Sequence, residues 1–223
     1  MSSIADNIAH LKSTLPSDVT LVAVSKFHPV DALRQAYDCG VRDFGESRVQ
    51  ELKAKVPSMP ADIRWHFIGH LQSNKVRALL PLVSLIHSVD SLELLRCINR
   101  EAERIGKTVD VLLQLHVAQE STKFGFDVND CVSLFGSVSF AELTSVRICG
   151  VMGMATNTDD EVQIHREFAE IRRIFDTMKQ RFFAEADYFN VVSMGMTDDY
   201  PIAITEGSNM VRIGSYIFGP RQY

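Results

Sequence analysis

A lysine closes the first strongly β-patterned run of this chain, Thr20-Leu21-Val22-Ala23-Val24-Ser25-Lys26. On position alone, a lysine ending an apolar strand snorkels its amine to solvent. At the mouth of a barrel the same residue is partly desolvated and its pKa tends to fall. Its amine can then form a Schiff base with an aldehyde. Two segments far along the chain carry complementary chemistry, Ser193-Met194-Gly195-Met196-Thr197 and Gly214-Ser215. Their small residues let backbone N–H groups approach an anion, and their hydroxyls add donors. Each is a common turn composition by itself. Together they follow the seventh and eighth strand patterns, where barrel enzymes often bind phosphate.

A Schiff-base lysine plus a phosphate cradle suggests pyridoxal 5′-phosphate, which carries an aldehyde and a phosphate on adjacent arms of one ring. Arg212 lies two residues before Gly214, so strand alternation puts both on one face. Either it sits in an ion pair inside the barrel, or it donates to the cofactor's ring nitrogen. In the second case it keeps that nitrogen unprotonated, because a guanidinium does not give up its proton at neutral pH. His66 and His70 are four apart, but on a strand and loop that spacing makes no helical zinc pair. No metal site is expected. His66 either points toward the ligand or is a hydrogen-bonded core histidine. The methionines at 152, 154, 194 and 196 read as packing.

These residues need a scaffold, and the chain supplies a repeating one. Short β-branched or apolar runs alternate with helical patterns eight times over. The runs are Thr20–Ser25, Val41–Phe44, Arg64–Ile68, Ser84–Ser88, Val109–Val117, Val146–Val151, Tyr188–Val192 and Met210–Ile213. Helices are expected after Pro29, over Val49–Val56, after Ser73, from Ser91 to about Ile105, around Val128–Val138, after Thr158–Glu161 and near Tyr200–Glu206. Asp90 with Glu93 resembles a capping box for the fourth of these. The longest helix carries Ile164, Phe168, Ile171, Phe175, Met178 and Phe182 at helical spacing. Eight units in 223 residues predict a single, compact (β/α)8 TIM barrel over 1–223, with a doubly wound open sheet as the alternative.

Composition narrows the function classes. Hydrophobic residues make up 46% and charged residues 23%, as in an ordinary globular protein, which excludes a disordered chain. A net charge of −5 lacks the basic footprint of a general nucleic-acid binder. Cys39, Cys97, Cys131 and Cys149 form no Cys-x-x-Cys pair and stand among apolar neighbours. They read as reduced core thiols, which favours a reducing compartment. No secretory signal or membrane-spanning run is found, so a cytoplasmic location is expected.

Several motifs in order are then recognisable. They are Val22-Ala23-Val24-Ser25-Lys26, Phe44-Gly45-Glu46-Ser47-Arg48-Val49-Gln50-Glu51, Trp65-His66-Phe67-Ile68-Gly69, Leu71-Gln72-Ser73-Asn74-Lys75, Ser193-Met194-Gly195-Met196, Val211-Arg212-Ile213-Gly214 and Ile217-Phe218-Gly219. The chain resembles the pyridoxal phosphate homeostasis protein family nearly end to end. The resemblance implies a barrel like the N-terminal domain of alanine racemase, with pyridoxal phosphate on Lys26 as a Schiff base. It implies Ser193, Gly214 and Ser215 at the phosphate and Arg212 at the ring nitrogen. Ser47 and His66 are further candidates. Family members usually carry asparagine where this chain has Ser47, whose side chain reaches less far.

By the same likeness the chain holds the cofactor in vitamin B6 homeostasis, with apo pyridoxal phosphate-dependent enzymes as expected partners, and the small size of the barrel suits a monomer or weak dimer. A racemase of the alanine racemase type is the alternative. Racemisation needs acid/base groups on both faces of the substrate carbon. Lys26 serves one face, and nothing in the sequence places Tyr216 or Tyr223 at the other. An aldolase-like lyase, with Lys26 attacking a substrate carbonyl directly, fits the motif set less well.

Overall fold

The computed structural model describes residues 3–118, 124–127, 132, 135–136 and 142–220. Helix α1 (Ile4–Thr14) leads, closed by a capping box between Ser3 and Asp6. Eight parallel strands follow: β1 (Thr20–Val24), β2 (Asp43–Glu46), β3 (Arg64–Phe67), β4 (Leu85–Val89), β5 (Val109–His116), β6 (Val146–Met152), β7 (Val191–Ser193) and β8 (Met210–Ile213). Each pairs with its neighbours in sequence, and β8 returns to β1 in the register Thr20↔Met210 through Ala23↔Ile213. That closing pair makes the sheet a (β/α)8 TIM barrel and removes the open-sheet alternative. A two-residue parallel bridge, Phe126–Asp127, adds to the far end of β5.

The connecting helices are α2 (Val30–Asp38), α3 (Val49–Lys55), α4 (Val76–Leu79), α5 (Leu92–Arg104), α6 (Glu161–Phe182), α7 (Tyr200–Thr205) and α8 (Ser215–Phe218). The helix expected around Val128–Val138 lies for the most part outside the described residues. Apolar side chains fall into two layers. Outward-facing strand residues such as Ala23, Phe44, Val211 and Ile213 pack under the helices. A smaller cluster, Val22, Leu85, Leu112, Cys149, Met152 and Met210, fills the barrel interior. The interior is not wholly apolar, since His66, His87, Ser193 and Arg212 are also buried.

Three local expectations need correction. Strand β2 begins at Asp43 and runs through Glu46, rather than covering Val41–Phe44. All four of its residues are buried, and its two carboxylates find partners inside, a pattern that hydrophobicity cannot mark. Helix α5 is capped by Ser91, whose hydroxyl accepts from the Leu94 N–H, and not by Asp90. Among the described cysteines, all free, only Cys149 is buried; Cys39 and Cys97 are half-buried. Cys131 lies outside the described residues. No described helix is long and apolar enough to cross a membrane.

Helix α6 buries the predicted stripe Ile164, Phe168, Ile171, Phe175 and Met178. Its start is fixed by Asp160, whose carboxylate accepts from the N–H groups of Val162 and Gln163. Asp160→Ala should therefore cost about 1 kcal/mol of stability, the usual value of an N-cap side chain. Urea unfolding would read this as a lowered midpoint with an unchanged slope, and an unmoved midpoint would deny the cap any stabilising role.

Candidate functional site

The turn after β1 is built to hold one lysine. Lys26 is half-buried, and the residues on either side of it are tied to a common buried network. Lys55, on α3, donates to the Ser25 carbonyl at 2.8 Å, to Glu46 Oε1 at 2.8 Å and to Glu51 Oε1 at 2.7 Å. The Ser25 hydroxyl donates to Glu46 Oε1 at 2.5 Å. The Phe27 N–H donates to Glu51 Oε1 at 2.6 Å. Phe27 has φ of 67°, a left-handed conformation that a bulky residue adopts only when its surroundings impose it. Here Glu51 grips the amide, and the Arg48 guanidinium lies 4.8 Å from the ring centre. Burial pushes the Glu46 carboxyl above its ordinary range, against the pull of Lys55.

Parallel register then sets what Lys26 meets. Ala23 lies opposite Ile213, so the chain leaving β8 reaches the mouth at the same level. Gly214 passes so close that a Cβ there would stand 3.1 Å from the Val24 carbonyl. Lys26, Arg212, Gly214 and Ser215 thereby line one cavity of about 240 Å³ at the C-terminal ends of the strands. The hydroxyls of Ser215 and Thr197 converge there, 3.1 Å apart. Val24, Ile68, Met154 and Met196 supply apolar wall. The two methionines are thus part of the site and not only packing.

Arg212 rises from β8 with 4% of its surface exposed. Its Nη1 donates to the Ser193 carbonyl and hydroxyl, both at 2.8 Å, and its Nη2 to the Gly153 carbonyl at 3.0 Å. No carboxylate touches it among the described residues, so the ion-pair reading of this arginine is not what the structure contains. Burial lowers its pKa to about 10, which still leaves it charged at neutral pH. These three contacts spend part of a five-donor fork and leave further N–H groups for a ligand. Gly153 brings its carbonyl there by close packing; a Cβ on it would stand 2.2 Å from Ile171 Cδ1.

The other predicted residues are placed differently. Ser193 is fully buried beneath Arg212, its hydroxyl engaged by Arg212 and by His87, and it does not line the cavity. His66 is the hydrogen-bonded core histidine, between His87 and Asp43. Ser47 is half-buried just after β2, and its backbone presses on Gly69, where a Cβ would stand 2.2 Å from the Ser47 carbonyl oxygen. It is not among the cavity's lining residues. His70 turns outward to Asp90 at 3.1 Å and stacks on Phe124. No cluster of three metal-ligating side chains occurs among the described residues.

Two lining residues escaped the sequence reading. Asp198 follows the Ser193–Thr197 segment directly, and its position in that loop was the only available signal. His28 gave none. It is buried against Phe218, and burial, with Lys55 nearby, lowers its pKa and keeps it neutral. The lining offers one amine, two converging hydroxyls beside a glycine, one buried guanidinium and apolar walls, a set that suits an anionic aromatic aldehyde, with one carboxylate, Asp198, beside them.

Comparison with known proteins gives a consistent picture. Residues 1–222 match the family model described as alanine racemase, N-terminal domain. A pyridoxal phosphate homeostasis protein of Helicobacter pylori is 38% identical over 202 residues, 90% of this chain and 87% of that protein. The solved structure of PipY from Synechococcus elongatus without pyridoxal phosphate superposes with a TM-score of 0.91 at 36% identity, covering 97% of this chain and all of PipY. The PipY structure with pyridoxal phosphate bound gives a TM-score of 0.87. Alanine racemase of Clostridium difficile, at 17% identity, shares the fold alone, and this chain covers 57% of it.

Proposed function

Because this chain belongs to the pyridoxal phosphate homeostasis protein family, we propose that it binds pyridoxal 5′-phosphate in the barrel mouth and acts in cytoplasmic vitamin B6 homeostasis. The observation that carries this reading is the convergence of Lys26, Arg212, Gly214 and Ser215 on one cavity. Residues 1–223 act as one cofactor-binding barrel domain. When bound, the cofactor supplies an aldehyde that an amine captures as a Schiff base and a ring that withdraws electrons. Lys26 is the amine that holds it, presented by a turn whose two flanking residues cannot move independently. Ser215 and Thr197 hydroxyls and the close backbone at Gly214 hold the phosphate.

Arg212 meets the ring nitrogen with donors only and so keeps it unprotonated. An unprotonated ring withdraws electrons weakly, which suits holding over turnover. Val24, Ile68, Met154 and Met196 exclude water from the ring faces. The curated relatives are named for homeostasis. Apo pyridoxal phosphate-dependent enzymes are the recipients in this reading, and a mouth in which Met196 is 40% exposed is compatible with transfer to them. Borohydride reduction of protein incubated with pyridoxal 5′-phosphate, followed by intact mass and peptide mapping, tests the reading. One adduct on Lys26 is expected; an unmodified chain, or an adduct elsewhere, refutes it.

A further inference from the structure

A line of hydrogen bonds leaves Arg212 and runs away from the mouth, through the barrel interior. Ser193 Oγ accepts from Arg212 and lies 3.1 Å from His87 Nδ1. His87 Nε2 lies 2.9 Å from His66 Nδ1, and His66 Nε2 lies 3.0 Å from Asp43 Oδ1. These residues stand on β7, β4, β3 and β2, and all are buried. Asp43 opens its strand at the opposite end of the barrel, where Arg64 on β3 also pairs with it. Asp110 and Arg147, at the same end on β5 and β6, pair with each other.

With both imidazoles neutral, the two ends fix the direction of the line. A guanidinium only donates, and an ionised carboxylate only accepts. Asp43 therefore requires the His66 proton on Nε2. A neutral His66 then accepts at Nδ1, which requires the His87 proton on its own Nε2. His87 in turn accepts at Nδ1 from the Ser193 hydroxyl, whose oxygen receives Arg212. No other tautomer of either neutral ring satisfies both ends. Burial, ahead of any neighbouring charge, pushes His87 well below its ordinary pKa and so favours the neutral ring. Burial alone would raise Asp43, but hydrogen bonds from His66 and Arg64 outweigh it and hold the carboxyl below its usual range.

We propose that Ser193, His87, His66 and Asp43 are positioning residues for Arg212. They form a one-way hydrogen-bond chain that fixes the inward side of the guanidinium and so aims its remaining N–H groups at the cofactor ring. The inference rests on the cofactor reading given above, but part of it can be tested without the cofactor. It also gives Ser193 a role other than the phosphate contact expected from the family resemblance.

Histidine-ring NMR of the protein without cofactor comes first. Both His66 and His87 should carry their ring proton on Nε2. A charged ring, or an Nδ1–H tautomer in either, overturns the chain. Next, His87→Leu and His87→Gln are loaded with pyridoxal 5′-phosphate. His87→Leu should shift the visible absorbance maximum and release the cofactor about tenfold faster, the expected effect of loosening one buried charge-assisted hydrogen bond. His87→Gln, which keeps a donor and an acceptor, should restore most of both. If His87→Leu does not fold, Ser193→Ala carries the same comparison, with a shift in the same direction. Variants that match a loaded wild type in band and release rate overturn the positioning role. A wild type that takes up no cofactor overturns the earlier reading instead, and the ring tautomers still decide the chain.

Discussion

Lys26→Ala should leave a folded protein that stays free of any visible band beyond that of the cofactor in solution. The side chain lines the cavity, while the backbone of its turn is held by Ser25 and Phe27, so truncation removes the amine and leaves the turn in place. Lys26→Arg should fail equally, because a guanidinium keeps its proton and does not condense with an aldehyde. Absorbance, together with mass after borohydride treatment, checks both variants. A band or an adduct that survives in either would place the covalent link on another lysine and end the assignment.

Lys55→Ala should be the most damaging single change to the scaffold of the site. It removes the only cation in contact with the fully buried Glu46 among the described residues and unties the Ser25 carbonyl. Breaking a buried pair from one side typically costs roughly 3–5 kcal/mol, because the remaining charge stays buried. The loss has a pH signature. Burial already raises Glu46 above 4.5, so the native state takes up its proton before the unfolded chain does. Stability from such a group is fully present below the unfolded value and is lost as pH rises through the folded value. Without Lys55 the folded value climbs further. The deficit of the variant should therefore be largest at neutral pH and shrink on acidification toward 4.5. Denaturant unfolding across that range reads it, and a pH-independent deficit would mean that packing, not the stranded charge, carries the cost. Lys55→Met combined with Glu46→Gln should recover much of the neutral-pH loss.

Some of this architecture was open to reading from residue patterns, and the reason differs by element. Strands β1 and β8 are largely buried on both faces because helices cover one face and the filled barrel the other. Their runs matched the structure to within a residue or two. Strand β7 was placed too early, over Tyr188–Val192, because an exposed aromatic just outside it imitates a strand residue. Strand β2 was missed at its C-terminal end, since Glu46 has meaning only beside Lys55, which another element supplies. Lys26, Arg212, Gly214 and Ser215 could be read because barrel geometry assigns strand ends to one face. The His66–His87 contact could not, since neither residue carries any mark of the other. For the same reason the inward engagement of the Ser193 hydroxyl could not be read. Nothing in Ser-Met-Gly-Met-Thr tells an inward hydroxyl from an outward one.

The pairing of β1 with β8 has a consequence for how the protein comes into being. Lys26 follows the first strand of the barrel, Arg212 stands on the eighth, and Gly214 and Ser215 come just after it, so the residues lining the cavity lie far apart in sequence. Before β8 pairs with β1, the chain holds Lys26 apart from Arg212, Gly214 and Ser215. Bringing those ends together also closes the longest loop in the molecule, the slowest kind of contact to form. A ligand that touches both ends ties the seam shut, and it stabilises the closed barrel in proportion to its concentration over its dissociation constant. A ligand bound at this seam would therefore report that the barrel has closed.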